Sequence, residues 1–132
     1  MNTSSPSYGY KKEVTYTFVE ALNRTKQCLA EEGFGVLTEI DVKATLEKKL
    51  QVTHADYYIL GACNPPFALE ALKAEIDIGL LLPCNVIVYA NDDKIYVSAI
   101  LPTIAMAMVE NPTLAKLALT VEEKLKRAID HI

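Results

Sequence analysis

Two copies of the dipeptide Cys-Asn are the residues of this chain best suited to chemistry. Cys63-Asn64 and Cys84-Asn85 each lie near proline, at an end of a predicted strand. A thiolate is a nucleophile and a metal ligand, and an asparagine amide binds carbonyl and hydroxyl groups or closes a local turn. We therefore expect these residues to bind a ligand. The alternatives are buried packing for the cysteines and turn formation for the asparagines.

Two further residues complete the predicted site. Glu39 flanks a strand-to-helix junction and is a candidate general base if it is buried near Cys63; a solvated carboxylate is the alternative. Met106 follows Pro102 in a short predicted helix and is expected to cover the site. The predicted ligand-binding set is Glu39, Cys63, Asn64, Cys84, Asn85 and Met106, without an assignment of catalytic residues.

Metal or cofactor chemistry has weaker support in the sequence. Met106 and the two cysteines would suit Cu(I), which prefers thiolate and thioether ligands, but they lack the close spacing of a metal motif. His54 and His131 are isolated, and Cys28 lies within a predicted helix, where packing explains it. We predict no metal and no cofactor. A thiol-based redox or transfer reaction at either Cys-Asn thiol stays an alternative.

Strand pairing decides whether the two cysteines meet. If strands 56–63 and 85–90 are antiparallel neighbours, Cys63 at the end of one strand meets Cys84 at the start of the other. If they are parallel, the cysteines lie at opposite ends of the sheet. The connection through 66–75 is long enough for either arrangement.

Hydrophobic periodicity predicts one α+β domain over residues 8–132, after a loose start at 1–7. The predicted order is β-α-β-α-β-α-β-β-α-α, with about five strands in a mixed or antiparallel sheet. Strand 56–63 is apolar enough for burial on both faces. Asp41 is expected to cap the second helix, and Thr113 the C-terminal amphipathic helix.

Composition narrows the classes of partner. The chain has 13 basic and 17 acidic residues and a net charge of −4. It therefore lacks the positive electrostatic field that attracts phosphate backbones, and we expect no nucleic-acid partner. No apolar run approaches the ~18 residues of a membrane span. Three cysteines, an odd number, favour a reducing cytoplasm. The hydrophobic fraction of 51% and a tyrosine-rich first strand favour a homodimer through a sheet edge or a helix face.

Three longer segments resemble the domain of unknown function 302 family. They are Gly33 to Val42, Tyr58 to Pro65 and Gly79 to Val86, and the stretch from Pro102 through the last helix also fits. The resemblance spans residues 8–132 and implies a small α+β fold found mostly in bacteria and archaea, without an assigned activity. The chain departs from the family pattern in the loop 51–55 and at Leu69, where a histidine often stands.

These observations support three hypotheses in order of preference. The first is a small-ligand-binding or sensory module with a pocket at the strand ends. The second is a homodimeric interaction or structural domain. The third is a thiol enzyme that uses Cys63 or Cys84. The sequence alone does not assign catalysis to the protein.

Overall fold

The structure is a computed structural model that describes residues 5–132 as one antiparallel sheet with helices. The α+β class and the predicted order of elements are confirmed. The strands are β1 (Gly9–Val14), β2 (Gly35–Asp41), β3 (Tyr57–Cys63), β4 (Cys84–Asn91) and β5 (Lys94–Ile100). The helices are α1 (Phe18–Glu31), α2 (Val42–Leu50), α3 (Pro65–Ala74), α4 (Pro102–Ala105) and α5 (Pro112–Asp130), with a 3₁₀ helix over Ile76–Leu81.

The sheet order is β1-β5-β4-β3-β2, and every neighbouring pair is antiparallel. A hairpin joins β4 to β5 through Asp92 and Asp93, whose φ angles of 51° and 62° are typical of a tight hairpin turn. The pairing of β3 with β4 resolves the question that the sequence left open. It places both Cys-Asn motifs at the same end of the sheet.

Helices α1 and α5 cover one face of the sheet and form the core with it. Apolar residues from these helices and from β3, β4 and β5 are buried together, including Leu29, Leu60, Val86, Val97 and Ile129. We call the other side the open face. Its side chains include Lys11, Ile40, Tyr57, Ile59, Asn85, Ile87, Tyr89, Tyr96 and Ser98.

The open face explains why one prediction failed. Strand β3 was expected to be buried on both faces, but Tyr57 and Ile59 are only half-buried while Leu60 is fully buried. Within residues 5–132, no helix covers Tyr57 and Ile59 as α1 and α5 cover Leu60. Helix α2 likewise buries none of its residues, although its sequence is amphipathic.

One of the two predicted helix caps is present and the other is not. The Asp41 side chain accepts from the Ala44 amide at 2.9 Å, as predicted. At α1, Thr17 and Glu20 form a capping box that was not predicted. Thr113 does not cap α5. The Asn111 side chain accepts from the first amides of this helix, because proline at 112 takes the first helical position.

The predicted loose start falls partly outside the described residues, which exclude 1–4. From Ser5 onward the chain contacts β1: the Ser5 hydroxyl accepts from the Lys11 amide, and the Pro6 carbonyl accepts from the Gly9 amide. Within 5–132, no helix combines the length and the apolar character needed to cross a membrane.

Candidate functional site

An apolar cavity of about 300 Å³ lies at the end of the sheet where the two Cys-Asn motifs meet. Ala62 pairs with Cys84 across β3 and β4, so the last residues of one strand lie beside the first of the other. Helices α3 and α5 and the segment after β5 close the other sides. The lining includes Phe34, Leu37, Cys63, Asn64, Phe67, Ala68, Ala71, Cys84, Met106, Leu114, Leu117, Ala118 and Val121.

The two thiols at the cavity are in unlike surroundings. Cys63 is half-buried, whereas Cys84 is 8% exposed. Burial raises the pKa of Cys84 to about 11, and the neighbouring Cys63 adds a smaller effect in the same direction. Cys84 is therefore a neutral thiol near pH 7. Cys28 lies in the core, 1% exposed, where burial also raises its pKa, in agreement with a packing role.

The raised pKa of Cys84 predicts a specific pH dependence of stability. An unfolded thiol ionises near pH 9, while the folded Cys84 resists ionisation up to about pH 11, so its stabilising contribution is complete below pH 9 and is lost as pH rises. Between about pH 8 and pH 10, the free energy of unfolding should fall by about 1 kcal/mol more in the wild type than in Cys84→Ala. Urea unfolding at several pH values measures this difference. Parallel pH profiles would contradict it.

Asn64 combines a structural contact with a free acceptor. It is 9% exposed, and its Nδ2 donates to the Glu32 carbonyl oxygen at 3.2 Å, which ties the start of α3 to the end of α1. Gly33 has a φ of 86°, and a Cβ there would lie 3.2 Å from Asn64 Nδ2. In residues 5–132, the structure forms no hydrogen bond to the Asn64 side-chain oxygen, and Asn64 is one of the residues that line the cavity.

Met106 follows α4 and lines the same cavity. It is half-buried and packs with a small second core formed by Ala71, Ile78 and Leu114. An unbranched thioether adapts its shape to its neighbours.

The structure separates the remaining two predicted residues from this cavity. Glu39 is on the helix-covered side of edge strand β2, where its carboxylate lies 2.8 Å from Lys26 Nζ and its side chain is 42% exposed. Glu39 is thus a solvated carboxylate, which was the alternative interpretation of the sequence. It is not buried near Cys63, as a general base at that thiol would need to be. Asn85 is exposed on the open face of β4, opposite Gly61, rather than in a turn. Thus four of the six predicted residues share the cavity.

Sequence reasoning missed most of the cavity wall. Phe67, Ala68, Leu117 and Val121 line the cavity, but in the sequence they belong to amphipathic stripes that also predict ordinary core packing. No local signal in the sequence separates these wall residues from core residues. His54 and His131 are exposed and do not line the cavity. In 5–132, no three His, Cys, Asp or Glu side chains are grouped as metal ligands.

Comparisons with known proteins agree with the resemblance noted in the sequence. The family model described as "Domain of unknown function DUF302" matches residues 10–132. A crystal structure of an uncharacterized conserved DUF302 protein from Bacillus stearothermophilus is similar to this chain, with a TM-score of 0.90 and 28% identity. The match covers 96% of this chain and 98% of that one. None of the curated proteins compared with the chain matches it. The chain therefore belongs to the DUF302 family of domains of unknown function.

Proposed function

We propose that the protein is a small-molecule-binding module whose ligand occupies the apolar cavity at the Cys-Asn motifs. The observation that carries this proposal is the placement of Cys63, Asn64, Cys84 and Met106 around one cavity of about 300 Å³. That volume is at the lower end of ordinary ligand sites, which are mostly apolar with a few placed polar groups. The Asn64 oxygen and the two thiols are those polar groups.

The chemistry of the wall restricts the ligand. Its residues are almost entirely hydrocarbon, and none of them is charged. A charged ligand would lose its hydration without gaining a counter-ion, which is strongly unfavourable. The ligand is therefore an uncharged, compact, largely apolar molecule, with at most one or two donors that reach Asn64. Leu37 and Leu72, 66% and 38% exposed, lie on the solvent side of the cavity and offer an entrance.

Titration with N-phenyl-1-naphthylamine, a neutral apolar dye whose fluorescence rises in a dry site, tests this proposal. We expect saturable binding to the wild type. In Ala68→Phe, the added ring takes up cavity space from helix α3, and the affinity should fall at least tenfold. Ala115→Phe adds the same ring at an exposed position of α5 and should bind as the wild type does. Equal affinities in all three proteins would refute the proposal.

The thiol-enzyme hypothesis receives less support. A nucleophilic cysteine needs a lowered pKa, and burial acts in the opposite direction on Cys84. This thiol serves as a weakly polar part of the cavity wall. The three free thiols also suit a reducing compartment, so the cytoplasm stays the predicted location.

A homodimer stays a second candidate because one edge of the sheet is exposed and apolar. In the part of the chain that the structure describes, residues 5–132, no strand pairs with the outer side of β2, which exposes Leu37 and Ile40 (66% and 47%). Such an edge offers unpaired backbone groups to a second copy of the chain. We expect multi-angle light scattering at high protein concentration to give twice the mass of one chain. A monomer mass at all concentrations would exclude this candidate.

A further inference from the structure

The open face of the sheet carries a second cavity, of about 340 Å³, that shares no lining residue with the apolar cavity. We call it the open-face cavity. Its apolar lining includes Ile87 and the rings of Tyr57 and Tyr89, and its polar side chains include Lys11 and Asn85. Unlike the first cavity, it therefore combines a cation with aromatic surface.

Strand pairing builds this arrangement on rigid elements. Ser98 pairs with Lys11 on one side and with Ile87 on the other, so these three residues form one row across β1, β5 and β4. The adjacent row holds Tyr57, Tyr89 and Tyr96, whose rings stack with centroids 5.4 Å apart at each step. Stacking restricts the ring positions, so the aromatic wall is formed before any ligand arrives.

The ammonium group of Lys11 lies over this wall without a carboxylate partner. Its Nζ is 5.8 Å from the ring centre of Tyr89 and 5.6 Å from that of Tyr96. None of the eleven residues that line the open-face cavity is acidic. The acidic residue nearest in sequence, Glu13, pairs with Lys94 instead. Among residues 5–132, the ion pairs of the structure do not include Lys11.

Residues with hydrogen-bond donors line the same cavity as Lys11. Burial raises the pKa of Tyr57, with further upward effects from Tyr89 and Tyr8 and a downward effect from Lys11. The phenols and the amine are therefore close enough to affect one another electrostatically. Ser98, 6% exposed, and the Asn85 amide add two more polar groups to the lining. A lysine and several hydrogen-bond donors that line one cavity suit an anionic group.

We propose that the open-face cavity binds a small organic acid. Its carboxylate pairs with the Lys11 ammonium group and accepts from neighbouring hydroxyl or amide groups, while its apolar body packs on Ile87 and the tyrosine rings. This site is independent of the proposed apolar ligand, and it gives Asn85 a binding role separate from that of Cys63, Asn64 and Cys84.

Fluorine NMR with 4-fluorobenzoate as the probe tests the proposal. We expect saturable binding to the wild type, at least tenfold weaker binding to Lys11→Met, and recovery to within threefold of the wild type in Lys11→Arg. Lys116→Met removes an exposed lysine of α5 that does not line the cavity and should leave the affinity unchanged. The neutral analogue 4-fluorobenzamide should bind at least tenfold more weakly than the acid.

Two results would overturn the proposal. One is the absence of saturable 4-fluorobenzoate binding to the wild type, and the other is binding to Lys11→Met within twofold of the wild type. Ala68→Phe, which fills the apolar cavity, should bind 4-fluorobenzoate normally. The two proposed sites can therefore fail or succeed separately.

Discussion

Replacing Gly61 with alanine should lower the free energy of unfolding by about 2 kcal/mol, within the usual cost of overpacking. Gly61 lies in β3 between β2 and β4. A Cβ there would overlap with the Thr38 hydroxyl and would lie 2.8 Å from Pro83 Cγ, closer than real Cβ atoms approach other atoms. The chain at the Cys-Asn end of the sheet would have to move.

Matched variants make the Gly61 prediction specific. At Gly79, an added Cβ meets no atom within 4 Å, so Gly79→Ala should change the free energy of unfolding by less than about 0.5 kcal/mol. The double variant Thr38→Ala/Gly61→Ala removes one of the two clashes and should recover part of the loss. Urea unfolding measures all four proteins. A Gly61→Ala protein as stable as the wild type would show that the strands accommodate the methyl group.

Replacing Leu114 with alanine should have the largest effect, a loss of about 3 kcal/mol in the free energy of unfolding. Leu114 is 1% exposed and lines the apolar cavity, where it also packs with Ala71 and Ile78. Truncation of a buried leucine costs the transfer of its carbon atoms and the energy of the space left behind. Here that space adds to an existing cavity, so the surrounding side chains have little means of closing it.

An exposed leucine on the same helix supplies the control. Leu119 is 56% exposed, and Leu119→Ala should change the free energy of unfolding by less than about 0.5 kcal/mol. Urea unfolding again gives both values. Equal small losses for the two variants would mean that the wall at Leu114 relaxes inward, and that the cavity is not a fixed feature of the fold.

Local sequence patterns were sufficient to predict the helices and strands of this fold. Alternation in β1, the four-residue repeat of Val42, Leu46 and Leu50 in α2, and the proline at the start of α3 each indicate one element, and the structure contains all three. Such patterns could not predict the pairing direction of β3 and β4, because a connection as long as 66–75 permits parallel or antiparallel neighbours. The helix cap at Asn111 was not predicted, because the proline after it was interpreted as the end of the preceding helix and not as the first residue of α5.

The candidate site was predictable only in part, for reasons that lie in strand geometry. Cys84 and Asn85 are adjacent in sequence, but successive side chains of a strand point to opposite faces, so Cys84 lines the apolar cavity and Asn85 lines the open-face cavity. Glu39 was grouped with the cysteines by its place near a strand end, whereas Lys26 of α1 pairs with it in the structure. Apolar wall residues such as Leu117 have the same sequence pattern as core residues, so no local rule separates a cavity from packed interior.

Native mass spectrometry of the untagged protein, released gently from its expression host, tests the central claim most directly. The account predicts a retained small molecule that is lost on mild activation and is absent from Ala68→Phe, while Ala115→Phe keeps it. A bare chain mass for the wild type, or the same retained molecule in Ala68→Phe, would contradict the assignment of the apolar cavity as the binding site.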